Sequence, residues 1–411
     1  MTVSRRTFLA GAAGAALMHP LALPGSRAKS AVAADRAATR ARTPADRFDP
    51  WVETVSAALH QNVDVVSRLV SGRPILAVIK NNAYGVGLVE TARILEPRPE
   101  IAGFAVVKAE ACLTLRAAGI TKPVLHMGLF GDDDGAELVA RGVHVSLTTD
   151  DAVARVRRAE ARAGKRARAH FYLDTGMSRM GVPWHRALPW MEEVARSGIQ
   201  VDGTFMAFTE EPDFDPEQLR RFLDLVRRAR ARGVDAGALH AASSNGVFHL
   251  PDAHLDMVRP GIALFGGYPS DWEGERAMAE LRSAVRLRAR VVRVERLRPG
   301  DGVSYGRNYI AERPTWVATI PAGHTDGVPR EAVEGACVLI GDRLHPVIGA
   351  VSASHVVVEL GDKPTAAIGD VATFVGPDRP ELHPNAVAAA TGRSVYDILM
   401  HLSPSMPRVV A

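Results

Sequence analysis

The chain has 411 residues, of which 47% are hydrophobic and 23% charged, and a formal net charge of +4. That length points to two domains, or to one barrel of about 250 residues with an addition, and the apolar fraction excludes wholesale disorder. Two cysteines, Cys112 and Cys337, exclude a disulfide scaffold and a multi-thiolate metal site.

The charge is unevenly placed. Residues 1–34 hold Arg5, Arg6, Arg27 and Lys29 and no acid, so the whole positive excess belongs to that segment. A nucleic-acid binder would carry its basic stripe in the folded part, and no nucleic-acid partner is expected. Ser4-Arg5-Arg6-Thr7-Phe8-Leu9 leads into an Ala/Gly-rich apolar run that ends near Leu23, and Ala31-Val32-Ala33-Ala34 offers small residues for cleavage. This is the order of a secretory signal, and the paired arginines resemble the twin-arginine type. The run is interrupted by His19-Pro20 and is too short to span a membrane. Residues 1–34 are therefore expected to be a signal peptide and 35–47 a linker. The mature protein is expected to be exported, periplasmic or extracellular, with no stable membrane anchor.

From 48 to 284 short apolar runs alternate with helical patterns. Strands are predicted over 74–80, 103–107, 123–127, 143–147 and 169–173, and helices over 108–118, 151–164 and 216–233. Repeated strand–helix units imply a parallel sheet. Six or more within about 240 residues favour a closed (β/α)8 barrel of the TIM type. From 285 the character changes. Val285–Val294 alternates with period two, as an antiparallel strand with one solvated face does. Further strands are predicted over 316–320, 336–340, 356–360 and 371–375, with a helix near 384–391. Residues 285–411 thus read as a mainly-β domain, and the fold class as α/β barrel plus β domain.

Six of the 50 basic residues are lysines. A chain that uses arginine for ordinary surface charge draws attention to each lysine, because only the amine can lose its proton and condense with a carbonyl. Lys80 stands at the C-terminal end of the first barrel strand, where barrel enzymes place their chemistry.

The stretch Ala77-Val78-Ile79-Lys80-Asn81-Asn82-Ala83-Tyr84-Gly85 closely resembles the pyridoxal-phosphate lysine motif of the alanine racemase family. Five further stretches match in the family's order: 173–181, 240–244, 256–266, 302–306 and 320–327. The resemblance runs from about 48 to 408, and it implies a pyridoxal 5'-phosphate-dependent amino-acid racemase that interconverts L- and D-amino acids. It further implies two bases, Lys80 and Tyr305, with Tyr305 coming from the β domain of the partner subunit of a homodimer. Tyr84 and Ser244, with the backbone amides of Gly261 and Ile262, match the family's phosphate contacts. Arg259 matches the arginine that faces the pyridine nitrogen, His240 its buttress, and Arg179 the arginine that orients the cofactor ring oxygen and the substrate carboxylate. Asp174 reads as a loop organiser.

The departures cluster around the site. Tyr172 replaces the family's modified lysine, leaving Tyr172 or an anion to hold Arg179. Ala207 replaces a histidine, His324 and Pro404 replace tyrosines, and Ser352-Ala353-Ser354 replaces Cys-Met-Asp, with Ala353 at the substrate-binding methionine. Several large side chains become smaller, so a broadened specificity is expected. Two other readings stay open: a different pyridoxal-phosphate reaction, and a non-catalytic cofactor-binding protein. No metal is expected, since His185, His249, His254 and His345 lack paired ligand spacing.

Overall fold

The computed structural model describes residues 47–411. The signal and linker expected over 1–47 lie outside the described residues, Arg47 excepted.

After β1 (Trp51–Thr54), the first domain is built from β2 (Ile75–Val78), β3 (Ile101–Val106), β4 (Val124–His126), β5 (His144–Leu147), β6 (Arg168–Asp174), β7 (Val182–Pro183), β8 (Gln200–Phe205) and β9 (Ala238–His240). The parallel order is β2-β3-β4-β5-β6-β8-β9, with β7 paired to β6 alone. β2, β4 and β5 are buried at every residue, as expected of strands covered on both faces. The sheet curls until it meets itself. The amides of Leu76 and Val78 donate to the carbonyls of Val258 and Pro260 at 2.9 and 3.0 Å, and Arg259 donates to Ala242 at 2.8 Å. Residues 257–260 are thus the eighth stave. Pro260 has no N–H to give and so cannot continue a ladder, which makes this stave irregular.

The second domain holds β10 (Val285–Arg290), β11 (Arg293–Leu297), β12 (Gly302–Val303), β13 (Tyr309–Ile310), β14 (Thr315–Ile320), β15 (Cys337–Ile340), β16 (Arg343–Ile348), β17 (Val356–Gly361), β18 (Val371–Val375) and β19 (Arg408–Val410). Nine strands form one sheet in the order β11-β14-β17-β16-β15-β18-β10-β1-β19. The strand expected over 285–294 is two strands. β10 pairs with β1 and β18, whereas β11 pairs with β14 at the far edge. The period-two alternation persists on both sides of Val291-Val292, so sequence shows no change of partner. β1, ahead of the barrel, also belongs to this sheet, as does the chain end in β19.

That chain end closes over the barrel. Arg408 donates to the Gly85 carbonyl through Nε (3.0 Å) and NH2 (2.9 Å). A Cβ at Gly85 would collide with the Leu399 carbonyl, so the helix Val395–Met400 lies directly on the turn after Lys80.

Candidate active site

β2 runs into Ile79 and Lys80, and the four residues that follow, Asn81, Asn82, Ala83 and Tyr84, have φ between 52 and 55°. They form one turn of left-handed helix, which L-residues adopt at about 1–2 kcal/mol each. The surroundings over-determine it. Ala83 donates to Ile79, Gly85 to Asn81 and Gly87 to Asn82, each at 3.0 Å, and Asn82 Oδ1 accepts from the Leu88 amide at 2.9 Å. Strain held this firmly is characteristic of functional sites. It sets Lys80 Nζ 5.9 Å from the centre of the Tyr84 ring. Burial lowers the ammonium pKa of Lys80; Arg179 lowers it further and Glu210 opposes both. A lysine displaced toward the neutral amine suits a base or nucleophile.

Next to it lies a cup of donors. Ser244 Oγ accepts from the amides of Gly261 (3.0 Å) and Ala263 (3.2 Å). Gly261 precedes the short helix Ile262–Phe265, so the Ile262 amide opens that turn. A Cβ at Gly261 would collide with Tyr84 Oη, so glycine is what lets the phenol approach this backbone. The Tyr84 hydroxyl makes no hydrogen bond among the described residues, while its ring packs 5.2 Å from Phe265 and 6.4 Å from Tyr396. Hydroxyls and backbone amides at a helical N-terminus late in a barrel match the needs of a phosphate.

Arg259 is buried. NH1 donates to His240 Nδ1 at 3.1 Å and to the His240 carbonyl, and NH2 donates to the carbonyls of Met206 (2.5 Å) and Ala241 (3.3 Å). Both terminal nitrogens are thereby committed, and Nε carries no hydrogen bond among the described residues. No carboxylate among the described residues pairs with this guanidinium, and burial pushes its pKa down to about 10. An uncommitted N–H on a buried cation suits a neutral acceptor such as an unprotonated ring nitrogen. The residues present therefore fit pyridoxal phosphate: amine, phosphate cup and ring-nitrogen donor stand on the same end of one barrel.

Arg179 is exposed and has no hydrogen bond or ion pair among the described residues. Tyr172 does not hold it, because that ring is buried against Phe205, with centroids 4.2 Å apart. Asp174 orders the intervening loop by accepting from the amides of Gly176 and Ser178, both at 3.0 Å. Where Ala207 stands, Gln218 supports the backbone, donating to the Ala207 carbonyl at 3.3 Å and accepting from the Thr209 amide at 2.9 Å.

Two residues escaped the sequence reading. Glu210 (φ 62°) accepts from Ser243 Oγ at 3.2 Å; burial raises its pKa, and it is electrostatically coupled to Lys80 and Arg179. Tyr396 arrives from the last helix, and its pKa is raised by burial and then by Glu210. A carboxylate beside a strand-end loop, and an aromatic in a C-terminal Val-Tyr-Asp stretch, carry no local signal that separates them from surface residues.

The β-domain candidates lie apart from this cluster. Tyr305 is 78% exposed and has no hydrogen bond or ring contact with any described residue. It opens the short turn Tyr305–Arg307, flanked by Ser304 (φ 61°), whose Oγ donates to the Ala350 carbonyl at 2.8 Å. Ala353 and Pro404 are exposed. His324 accepts from Arg330 at 2.8 Å.

The family model for the alanine racemase N-terminal domain matches residues 55–269, and that for the alanine racemase C-terminal domain matches 284–410. The alanine racemase of Desulfovibrio desulfuricans is 33% identical over 368 residues, covering 87% of this chain and 97% of that protein. The alanine racemase of Carboxydothermus hydrogenoformans is 32% identical over 365 residues, covering 87% and 98%. Among solved structures, alanine racemase from Streptomyces coelicolor superposes with a TM-score of 0.83 at 30% identity, covering 90% of this chain and 100% of that one. The enzyme from Streptomyces lavendulae gives 0.82 at 31% identity, covering 90% and 98%.

Proposed function

We propose, since this chain belongs to the alanine racemase family, that it binds pyridoxal 5'-phosphate and interconverts the L- and D-forms of alanine and other amino acids. The observation that carries the reading is the convergence of Lys80, the Tyr84–Ser244–Gly261 cup and the uncommitted Nε of buried Arg259 at one barrel end. When bound, the cofactor supplies the electron sink that lets an amino acid release its α-proton.

The residues divide the remaining work. Tyr84, Ser244 and the Gly261 and Ile262 amides hold the phosphate. Arg259 donates to the ring nitrogen without surrendering a proton, and His240 fixes its plane. Arg179 orients the ring oxygen and the substrate carboxylate, as its free guanidinium allows. Lys80 Nζ holds the cofactor and moves the α-proton on one face. Tyr305 of the partner subunit moves it on the other, so the active unit is a homodimer with shared sites. Ala353 and Pro404 widen the approach for longer side chains. The mature enzyme works outside the cytoplasm, and Arg5-Arg6 in the signal-like segment that precedes it support that placement.

The experiment is a racemisation panel on purified mature protein with Ala, Ser, Lys, Arg and Met, run in deuterium oxide. Racemisation with α-proton exchange supports the reading, and turnover of alanine alone removes the broadened specificity. Keto-acid or amine products would point to another cofactor reaction, and absence of exchange on every amino acid would overturn catalysis.

A further inference from the structure

We propose that His170 and His144 are positioning residues that act on the active site from inside the barrel, by fixing His240 in the tautomer Arg259 requires. The functional half of this inference rests on the reading of Arg259 given above; the hydrogen-bond half does not.

Three histidine rings stand in line. His240 Nε2 lies 2.9 Å from His170 Nδ1, and His170 Nε2 lies 3.2 Å from His144 Nδ1. They come from β9, β6 and β5, so His170 must reach past β8 to meet His240. The β8 residue it passes is Gly203, where a Cβ would sit 2.6 Å from His170 Nδ1 and 2.8 Å from Cε1. The line therefore exists because β8 offers no side chain at that point. All three rings are buried, and burial lowers their pKa values, to about 4 for His144 and about 3 for His170.

The protons in this line have one consistent arrangement. A guanidinium only donates, so His240 Nδ1, facing Arg259 NH1, must accept. A neutral His240 then carries its proton on Nε2 and donates to His170 Nδ1. His170 in turn carries its proton on Nε2 and donates to His144 Nδ1. One choice, made at Arg259, sets three tautomers, and hydrogen bonds chained this way polarise one another. His144 Nδ1 also lies 3.5 Å from Asp202 Oδ2. That carboxylate is spent on Arg168 (2.6 and 3.1 Å) and Gln200 (2.9 Å), which leaves His144 neutral. The result is a directed acceptor for a buried cation that has no acid to hold it among the described residues, with Nε left without a hydrogen bond among them.

The donor atoms of His144, His170 and Asp202 all lie within 4.8 Å of one another, a spacing that a metal ion could also use. Metal and relay exclude each other, because both His170 nitrogens are already taken in the relay.

The test is nitrogen-15 NMR of histidine-labelled holoenzyme at neutral pH, with signals assigned by single substitutions. The expected result is three neutral rings, each protonated on Nε2. His170→Asn keeps an acceptor at the Nδ1 position and should keep the His240 tautomer and most of kcat. His170→Leu removes it; a population of Nδ1-protonated His240 should appear, and kcat should fall about tenfold with KM unchanged, the ratio expected for one buried donor left unpaired. An imidazolium or an Nδ1–H ring among the three in the unsubstituted protein overturns the proposal. So does equimolar metal that is lost on His144→Gln, or a kcat loss in His170→Leu with His240 unaltered. If no racemisation is found at all, the tautomer pattern still decides the relay.

Discussion

The two halves of the site are built differently. On the barrel side Tyr84, His240, Ser244 and Arg259 are buried, Tyr84 by ring packing and the others in hydrogen bonds to neighbours distant in sequence, and the lysine is set by a strained turn with its own hydrogen bonds. On the β-domain side Tyr305 is exposed to solvent, on a turn held through its neighbours Ser304 and Arg307 rather than through the phenol. The barrel groups converge within one chain, whereas the exposed Tyr305 makes no hydrogen bond or ring contact with any described residue. The contrast separates two tasks: holding a cofactor, for which the barrel gathers its groups within one chain, and finishing the chemistry, which the proposed dimer would supply.

The largest expected effect tests that separation directly. Lys80→Ala should cost about ten-thousand-fold in racemisation, because it removes the cofactor's covalent anchor and one base together, and the visible absorbance of bound cofactor should vanish. Tyr305→Phe should keep that absorbance, lose about a hundredfold or more in rate, and lose α-proton exchange on one face only. Equal exchange of both enantiomers in that variant would remove Tyr305 as a base. Mixing the two inactive chains sharpens the comparison. If sites are shared, a hybrid dimer has one site with neither substitution, and random pairing should return about a quarter of the unsubstituted activity. No recovery would place both residues of a site in one chain.

A smaller effect is expected inside the barrel half. Gly261→Ala puts a methyl where Tyr84 Oη now lies. The phenol must retreat from the phosphate cup, and cofactor affinity should weaken by about tenfold, measured by equilibrium dialysis, with the fold intact by circular dichroism. Tyr84→Phe should weaken affinity similarly, and Gly261→Ala added to it should cost little more. Full additivity would mean that the glycine serves something other than the tyrosine.

The same contrast governs what the sequence made legible. The barrel's parallel strands announce themselves as short apolar runs, and Lys80 stands out as a rare lysine at a strand end. The left-handed turn that aims it does not: Ala83 and Tyr84 have no preference for positive φ, and the turn is imposed by Asn82, Gly87 and the docked C-terminal helix. Glu210 and Tyr396 reach the site through long-range packing, which leaves no periodicity behind. The irregular eighth stave at 257–260 is too short for a strand pattern and is cut off by Pro260. In the β domain, alternation located most strands but could not reveal that β10 and β11 part company at Val291. Local chemistry was readable throughout; partner choice was not.

The smallest effect concerns stability, and it separates the halves without reference to activity. His144 and His170 are held by burial at about 4 and about 3, below the ordinary 6.5 of an unfolded chain. Between those values the unfolded chain binds more protons than the folded one, so stability rises with pH across this window and is lost as pH falls from about 6.5 toward 4. Each such histidine should account for about 1 kcal/mol of the loss between pH 7.5 and 5.5. Urea midpoints at the two pH values should therefore show a shallower dependence in His144→Gln than in the unsubstituted protein. Ser354 is exposed in the β domain and carries no titratable group, and Ser354→Ala should leave the dependence unchanged. If the two substitutions shift the midpoints alike, the barrel interior is not the origin of the acid sensitivity. A difference confined to His144 assigns that sensitivity to the buried histidine line behind Arg259.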